Sequence, residues 1–345
     1  MHDCLLKAHV AILVLGLLCG CRPATVPANS DTAPDPDSIP LGTDVISLNT
    51  VEHVALLHTL EGHSQRVLDV TFSAQGALLV SSGQDMHIRV WDVSKAQEAH
   101  TFRMRSVDMA DVDISVDRNI LASGEAIWDL ASFREIRVIE RGTQIPAFVA
   151  FSPDGSMLAL GRFDQDITLW NVSSGQPVFT FAEQEEKRNK ELEFSPDGTL
   201  LAAGVIDGTI RMYDVASGEI VRILHYRGET DIHDIAFSPD GNYLASVGRV
   251  SSAQLWEVAS GEVVRTFPVQ DTPLSVDFSP DGTILAVAAG QEKAILLWDV
   301  ERGDLLRSLP HDDQSMSIAF SPDGRLLAAA CFDGKVYMWG IPPDS

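Results

Sequence analysis

Phe151-Ser152-Pro153-Asp154-Gly155 is the stretch on which the reading turns, because the same five residues return at Phe194, Phe237, Phe278 and Phe320. Two degenerate copies precede them, Phe72-Ser73-Ala74-Gln75-Gly76 and Ile114-Ser115-Val116-Asp117-Arg118. The seven start points lie 42, 37, 43, 43, 41 and 42 residues apart. An aromatic series runs in step: Trp91, Trp128, Trp170, Tyr213, Trp256, Trp298 and Trp339, five of them followed by Asp or Asn. Two series locked in phase define a repeat, and a period near 42 residues is one supersecondary unit stacked on its neighbours.

Each unit has the same local logic. An alternating run such as Val67-Leu68-Asp69-Val70-Thr71-Phe72 reads as a half-buried strand. In the Ser-Pro-Asp-Gly that follows, Pro presets φ and Gly accepts φ > 0, which makes a turn. A short apolar strand comes next (Leu200-Leu201-Ala202-Ala203), then a turn such as Asp207-Gly208, a strand ending in the aromatic, a second turn (Ser217-Gly218-Glu219) and a fourth strand. Four antiparallel strands per repeat is one propeller blade. The chain therefore reads as all-β, a single seven-bladed β-propeller. Only Gly340 to Ser345 follow Trp339, so the last blade lacks a fourth strand, while Val54–Leu60 is a strand without a blade. Pairing the two closes the ring through an N-terminal strand and removes a free sheet edge. In the second unit Leu121-Ala122-Ser123-Gly124 runs almost directly into Ile127-Trp128, so its middle turn is truncated or its third strand shortened.

Over about residues 51–340 this pattern resembles the WD-repeat family. The resemblance implies a hydrogen-bonded structural tetrad in the first blade of His63, Ser81, Asp85 and Trp91. The seventh blade keeps His311, Asp333 and Trp339. Blades three and four keep only Asp164 with Trp170 and Asp207 with Tyr213. It also implies a partner-binding face, formed by the loops that enter each blade and join its second and third strands. Position by position, that face takes Arg66, Leu68, Ile145, Lys190, His233, Leu274 and Met316, with Phe163 and Phe332 at the turn positions. Phe163 and Phe332 suit contact hot spots, or else cover the channel rim.

The N-terminus reads as an address. Val10–Leu18 is a nine-residue apolar run, the length of a signal-peptide core and too short to span a bilayer comfortably. Leu18-Cys19-Gly20-Cys21 resembles a bacterial lipobox, which implies a signal over 1–20 and a lipid on Cys21; an ordinary cleaved signal or an uncleaved anchor are the alternatives. Residues 21–44 are proline-rich and read as a stiff tether, with the propeller over 45–345. The expected location is the cell envelope, with the protein exported and anchored to a membrane.

The formal net charge of −24 opposes phosphate backbones and favours cationic partners. Cys331 is the one cysteine beyond residue 21, so no disulfide framework exists in the body. The sequence holds no H-E-x-x-H, Walker A, G-x-S-x-G or paired C-x-x-C pattern, and no cofactor or metal is expected. Two readings follow. In the first, a non-catalytic, monomeric scaffold binds another protein or peptide, not nucleic acid. In the second, a propeller hydrolase, lyase or small-ligand binder uses the central channel. The second needs converging carboxylates; Asp69, Asp111, Glu191 and Asp234 read as scattered, without a uniform ring.

Overall fold

A computed structural model describes residues 38–343, apart from 106–110, 116–118, 125, 140–147, 163–164, 182–188 and 227–230, and leaves the side chains of 165, 189 and 190 undescribed. All described residues belong to one unit, Asp37–Ser345. Seven four-stranded antiparallel sheets make the seven blades. Their inner strands are Val67–Phe72, Val112–Ile114, Phe148–Phe151, Asn189–Phe194, Ile232–Phe237, Pro273–Phe278 and Ser315–Phe320.

The repeated pentapeptide does two jobs. Within a blade, Ser195 Oγ donates to Asp197 Oδ1 (2.6 Å) and accepts the Leu200 N–H (2.9 Å), while the Gly198 N–H reaches Ser195 O (2.8 Å). This closes the turn between the first two strands, with Gly198 at φ +70°. Between blades, a Cβ at Gly198 would stand 3.5 Å from Pro153 Cδ, and Gly241, Gly282 and Gly324 meet Pro196, Pro239 and Pro280 in the same way. The motif therefore sets the spacing of the ring as well as the turn.

Seven hydrophobic clusters, one per joint between neighbouring blades, form the core. The joints taper toward the axis, so small residues such as Ala202, Ala203, Ala245, Ala286 and Ala328 line the second strands, and the large aromatics fill the wider space beyond. At the rim a second device recurs. Arg137 donates to Ser173 O (3.0 Å) and Ser174 O (2.8 Å) in the turn of the next blade, and Arg222 to Ala259 O (2.6 Å) and Ser260 O (2.7 Å). Arg265 does the same to Glu301 O and Arg302 O, and Arg307 to Glu52 O. Each lies opposite the residue before its blade's aromatic. At that register blade one has His100, stacked on Phe133 (4.6 Å, 11°), and blade three has Phe179 against Gly218.

Blade two is cut short in both ways that the sequence allows. Its second and third strands, Ile120–Ser123 and Ala126–Asp129, have four residues each where blade one has six, and Ser123 pairs directly with Ala126. The ring closes by Ala55–Glu61 pairing antiparallel with Lys335–Gly340, Ala55 opposite Gly340 and Glu61 opposite Lys335. Upstream, Ile39 N–H donates to Ser94 O (2.7 Å), Ile46 is fully buried, and its N–H reaches Gly324 O (2.8 Å). Gly42 lies so close to Ile341 O that a Cβ has no room. Packing on the body thus begins inside the stretch assigned to the tether, where Ile39 and Leu41 supply apolar side chains that its prolines obscure, and continues at Ile46.

Deleting residues 51–61 is expected to strip the closing strand from blade seven and expose its edge. Loss of the buried Leu60 alone costs about 2–5 kcal/mol. Thermal unfolding followed by circular dichroism should fall by about 10 °C or more; an unchanged midpoint would refute the closure.

Candidate functional site

Blade one holds a complete polar tetrad. His63 Nδ1 lies 2.9 Å from Asp85 Oδ1, His63 Nε2 lies 2.9 Å from Ser81 Oγ, and Trp91 Nε1 donates to Ser81 Oγ (2.8 Å). Burial holds the His63 imidazole below its ordinary pKa. Burial works to raise Asp85, but bonds from His63 and from the Ser64 and His87 N–H groups overcome it and hold the carboxyl low. The order Asp–His–Ser is that of a hydrolytic triad, yet Ser81 is fully buried and its oxygen is shared with Trp91. The arrangement fixes the blade and reaches no substrate.

The other blades depart from this. In blade seven, His311 Nε2 pairs with Ser315 Oγ (2.7 Å), and Tyr337 Oη donates to Asp333 Oδ2 (2.8 Å). Ala329 stands where a bridging serine would be needed, so the set of His311, Asp333 and Trp339 does not close. Blade five keeps only the bond from Trp256 Nε1 to Ser246 Oγ (2.8 Å), which the serine ten residues before Trp256 could have signalled. The indole nitrogens of Trp170 and Trp298 find no partner among the described residues.

The six candidate face residues whose side chains are described fall into a group of four and a pair. Leu68, His233, Leu274 and Met316 line a central channel of about 650 Å³. Arg66 sets its guanidinium 4.1 Å from the centre of the Phe332 ring, an aromatic–cation pair, and Phe332 N–H is tied to Gln314 O (2.9 Å), one residue before the inner strand Ser315–Phe320. His233 Nδ1 sits 3.0 Å from Pro273 O of the next blade. Ile145, Phe163 and the Lys190 side chain lie outside the described residues, as does Cys21.

The carboxylates that seemed scattered share this channel, joined there by Asp113, Glu193 and Asp277. They form two rows. Three residues before the inner-strand phenylalanine (or Ile114), Asp69, Asp111 and Asp234 each accept an N–H of the following blade: Val112 (2.9 Å), Val149 (2.8 Å) and Val276 (2.8 Å). Ser275 and Ser317 serve Ile318 (3.1 Å) and Val70 (3.3 Å) in the same way, and Ser317 Oγ also donates to Asp69 Oδ1 (2.6 Å). One residue before, Asp113, Glu193 and Asp277 in alternate blades take the N–H of Phe151 (2.6 Å), Phe237 (2.8 Å) and Phe320 (2.7 Å). Single acids forty residues apart carry no sign of this; only the closed ring unites them. No group of three or more His, Cys, Asp or Glu among the described residues could hold a metal ion.

Burial pushes Asp113 and Asp234 up to about 6 and Asp277 up to about 7. Burial, reinforced by neighbouring carboxylates, holds Asp111, Glu191 and Glu193 well above the usual carboxylate range. A carboxyl raised on folding makes the native state bind more protons than the unfolded chain, so stability is lost as pH climbs from about 4 through the folded value. Asp277 should thus cost stability between pH 5 and pH 8. The wild type should lose on the order of 2 kcal/mol more unfolding free energy over that range than Asp277→Asn, read by denaturant titration at each pH. Parallel slopes would remove Asp277 from this role.

Comparison with known proteins supplies the remaining context. The family model described as WD domain, G-beta repeat matches residues 55–92, 218–257, 261–299 and 303–340. The model of the anaphase-promoting complex subunit 4 WD40 domain matches 149–229. Each G-beta match starts on or just before the outer strand of one blade and ends at or next to the last residue of the third strand of the next, and none falls on blade two. Similar curated proteins include COMPASS component SWD3 of Saccharomyces cerevisiae, 28% identical over 44% of this chain and 53% of that protein. Nuclear distribution protein nudF of Aspergillus niger is 30% identical over 36% of this chain and 30% of its own length. Pre-mRNA-processing factor 19 of Bos taurus is 25% identical over 36% and 26%. The chain thus spans about half or less of the relatives it matches.

Proposed function

Since this chain is a WD40-repeat propeller, we propose that it is a non-catalytic interaction scaffold, exported and held at a bacterial cell envelope by a lipid on Cys21. WD40 propellers generally act as platforms for protein interaction, and the observation that supports the same use here is the mouth of the channel. Arg66 stacked on Phe332 offers an amphipathic surface, and Leu68, two residues after Arg66, lines the channel with Leu274 and Met316 as an apolar wall. Rigid, part-exposed anchors of this kind carry most of the energy in protein interfaces. The carboxylates below and the net charge of −24 favour a protein or peptide that presents basic side chains. A second reading, a small cationic ligand held in the channel, draws on the same seven carboxylates.

The test is capture from detergent-solubilised membranes with the wild-type propeller and with an Arg66→Ala/Met316→Ala/Phe332→Ala variant as baits. A protein retained by the first should be reduced at least about 100-fold on the second, the effect of two hot-spot losses. Equal recovery would rule out this face. For the anchor, Cys21→Ser should move the protein from the floating membrane fraction of a density gradient to the soluble one. An unaltered distribution would sink the lipid.

A further inference from the structure

In a four-stranded antiparallel blade the first and third turns fall at one end of the strands and the second turn at the other. The Ser-Pro-Asp-Gly turns therefore lie on the face opposite Arg66 and Phe332, and that face holds a second cavity. Its volume is about 400 Å³ and it sits at the joint of blades five and six, a size within the range of ligand pockets, about 300–1,000 Å³. Blade five supplies Tyr243, Leu255 and Val264, and blade six supplies residues 282–283 and 299–301 of its first and third turns.

One wall comes from neither blade. Leu48 also lines the cavity, and it belongs to the stretch that precedes the closing strand Ala55–Glu61. Bonds on both sides hold that stretch in place. Before Leu48, the Ile46 N–H reaches Gly324 O of blade seven (2.8 Å). After it, Glu52 O accepts from the Arg307 guanidinium of blade six. Between the two, Thr50 Oγ1 takes the Ser47 N–H (2.9 Å) and donates to Val45 O (2.6 Å). Leu48 and Val264 nevertheless stay 41% and 48% exposed, while Leu255 is buried. Apolar side chains gathered around one cavity, rather than scattered, mark a place for an apolar group.

The charged lining selects what accompanies that group. Arg265 spends its guanidinium on Arg302 O (3.0 Å) and Glu301 O. Asp299, 2% exposed, gives Oδ1 to the Arg302 N–H (2.7 Å) and has Arg302 Nε 4.0 Å from Oδ2. Glu301 is exposed at the same edge. Two carboxylates beside a cation committed to carbonyls, on a chain of net charge −24, favour a positive neighbour.

We propose that this pocket docks an extended segment of a partner protein, which sets a branched apolar side chain, Leu or Ile, against Leu48 and Val264 and an adjacent Lys or Arg against Asp299 and Glu301. The stretch before the closing strand is thereby part of a binding site as well as of the ring. The pocket is remote from Arg66 and Phe332, so it stands whether or not that face binds.

Ligand-observed saturation-transfer NMR on the whole chain tests this with two peptides, acetyl-Gly-Leu-Lys-Gly-amide and acetyl-Gly-Leu-Glu-Gly-amide. The lysine peptide should bind at least about tenfold more tightly than the glutamate one, and Glu301→Gln should narrow that gap. Leu48→Ser and Val264→Ser, both at exposed positions, should each weaken the lysine peptide at least about threefold, the worth of a methylene or so of apolar contact. Val221→Ser, at an exposed apolar position on the outer strand of blade four, should leave it unchanged. The proposal is overturned if the lysine peptide shows no transfer at millimolar concentration, if the two peptides bind alike, if Glu301→Gln leaves their gap as it was, or if neither Leu48→Ser nor Val264→Ser alters binding.

Discussion

Every blade ends at the channel in a strand edge, and a strand edge carries N–H groups with no partner in their own sheet. In this ring eight of those groups, among the described residues, are answered from the neighbouring blade by an Asp, Glu or Ser on its own inner strand. The solution is economical, since an unpaired buried donor costs about 1–3 kcal/mol and one carboxylate often serves two: Asp277 takes Phe278 N–H on one oxygen and Phe320 N–H on the other. It also brings acids close together, and their raised pKa values follow from that crowding and from burial. Stitching the ring and loading the channel with acid are the same act.

The tetrad plays a smaller part in this chain than the repeat pattern implies. Among the described residues, His63, Ser81, Asp85 and Trp91 alone close it, at the blade that follows the ring closure. Elsewhere the framework is carried by the Pro–Gly contacts below, the carboxylates at the axis and the arginines at the rim. These three devices act between blades, whereas the tetrad acts within one. Each blade is thereby positioned chiefly by its neighbours, and a face assembled from several blades, such as that around Arg66 and Phe332, inherits its rigidity from the joints.

The architecture was legible because its signals are local. Phe-Ser-Pro-Asp-Gly encodes a turn in five residues, and the missing fourth strand after Trp339 points to Val54–Leu60 without any structure. The inner carboxylates were not legible as a set, because their meaning depends on closure: Asp113 and Asp277 lie far apart in the chain and share one channel in space. The rim arginines stood between these extremes. Arg222, Arg265 and Arg307 recur at the repeat spacing and could have been read as a third series, but an exposed arginine on an outer strand has so many ordinary explanations that its period passes unnoticed. Blade seven keeps His311, Asp333 and Trp339, as its residue types indicate, but with Ala329 at the serine position His311 pairs with Ser315 instead.

Ring closure also sets a timetable. Ala55–Glu61 precedes every other described strand, and its partner Lys335–Gly340 follows them all. Until Lys335–Gly340 emerges, the early strand has nowhere to pair and blade seven cannot be completed, so the nascent chain carries an unsatisfied edge while the blades between are made. Such non-local pairing is slow to form, and a chain stopped short by even one strand would be left as an open stack with two raw ends. Lys335–Gly340 is thus the strand on which closure waits, and damage to that one strand is felt by the whole ring.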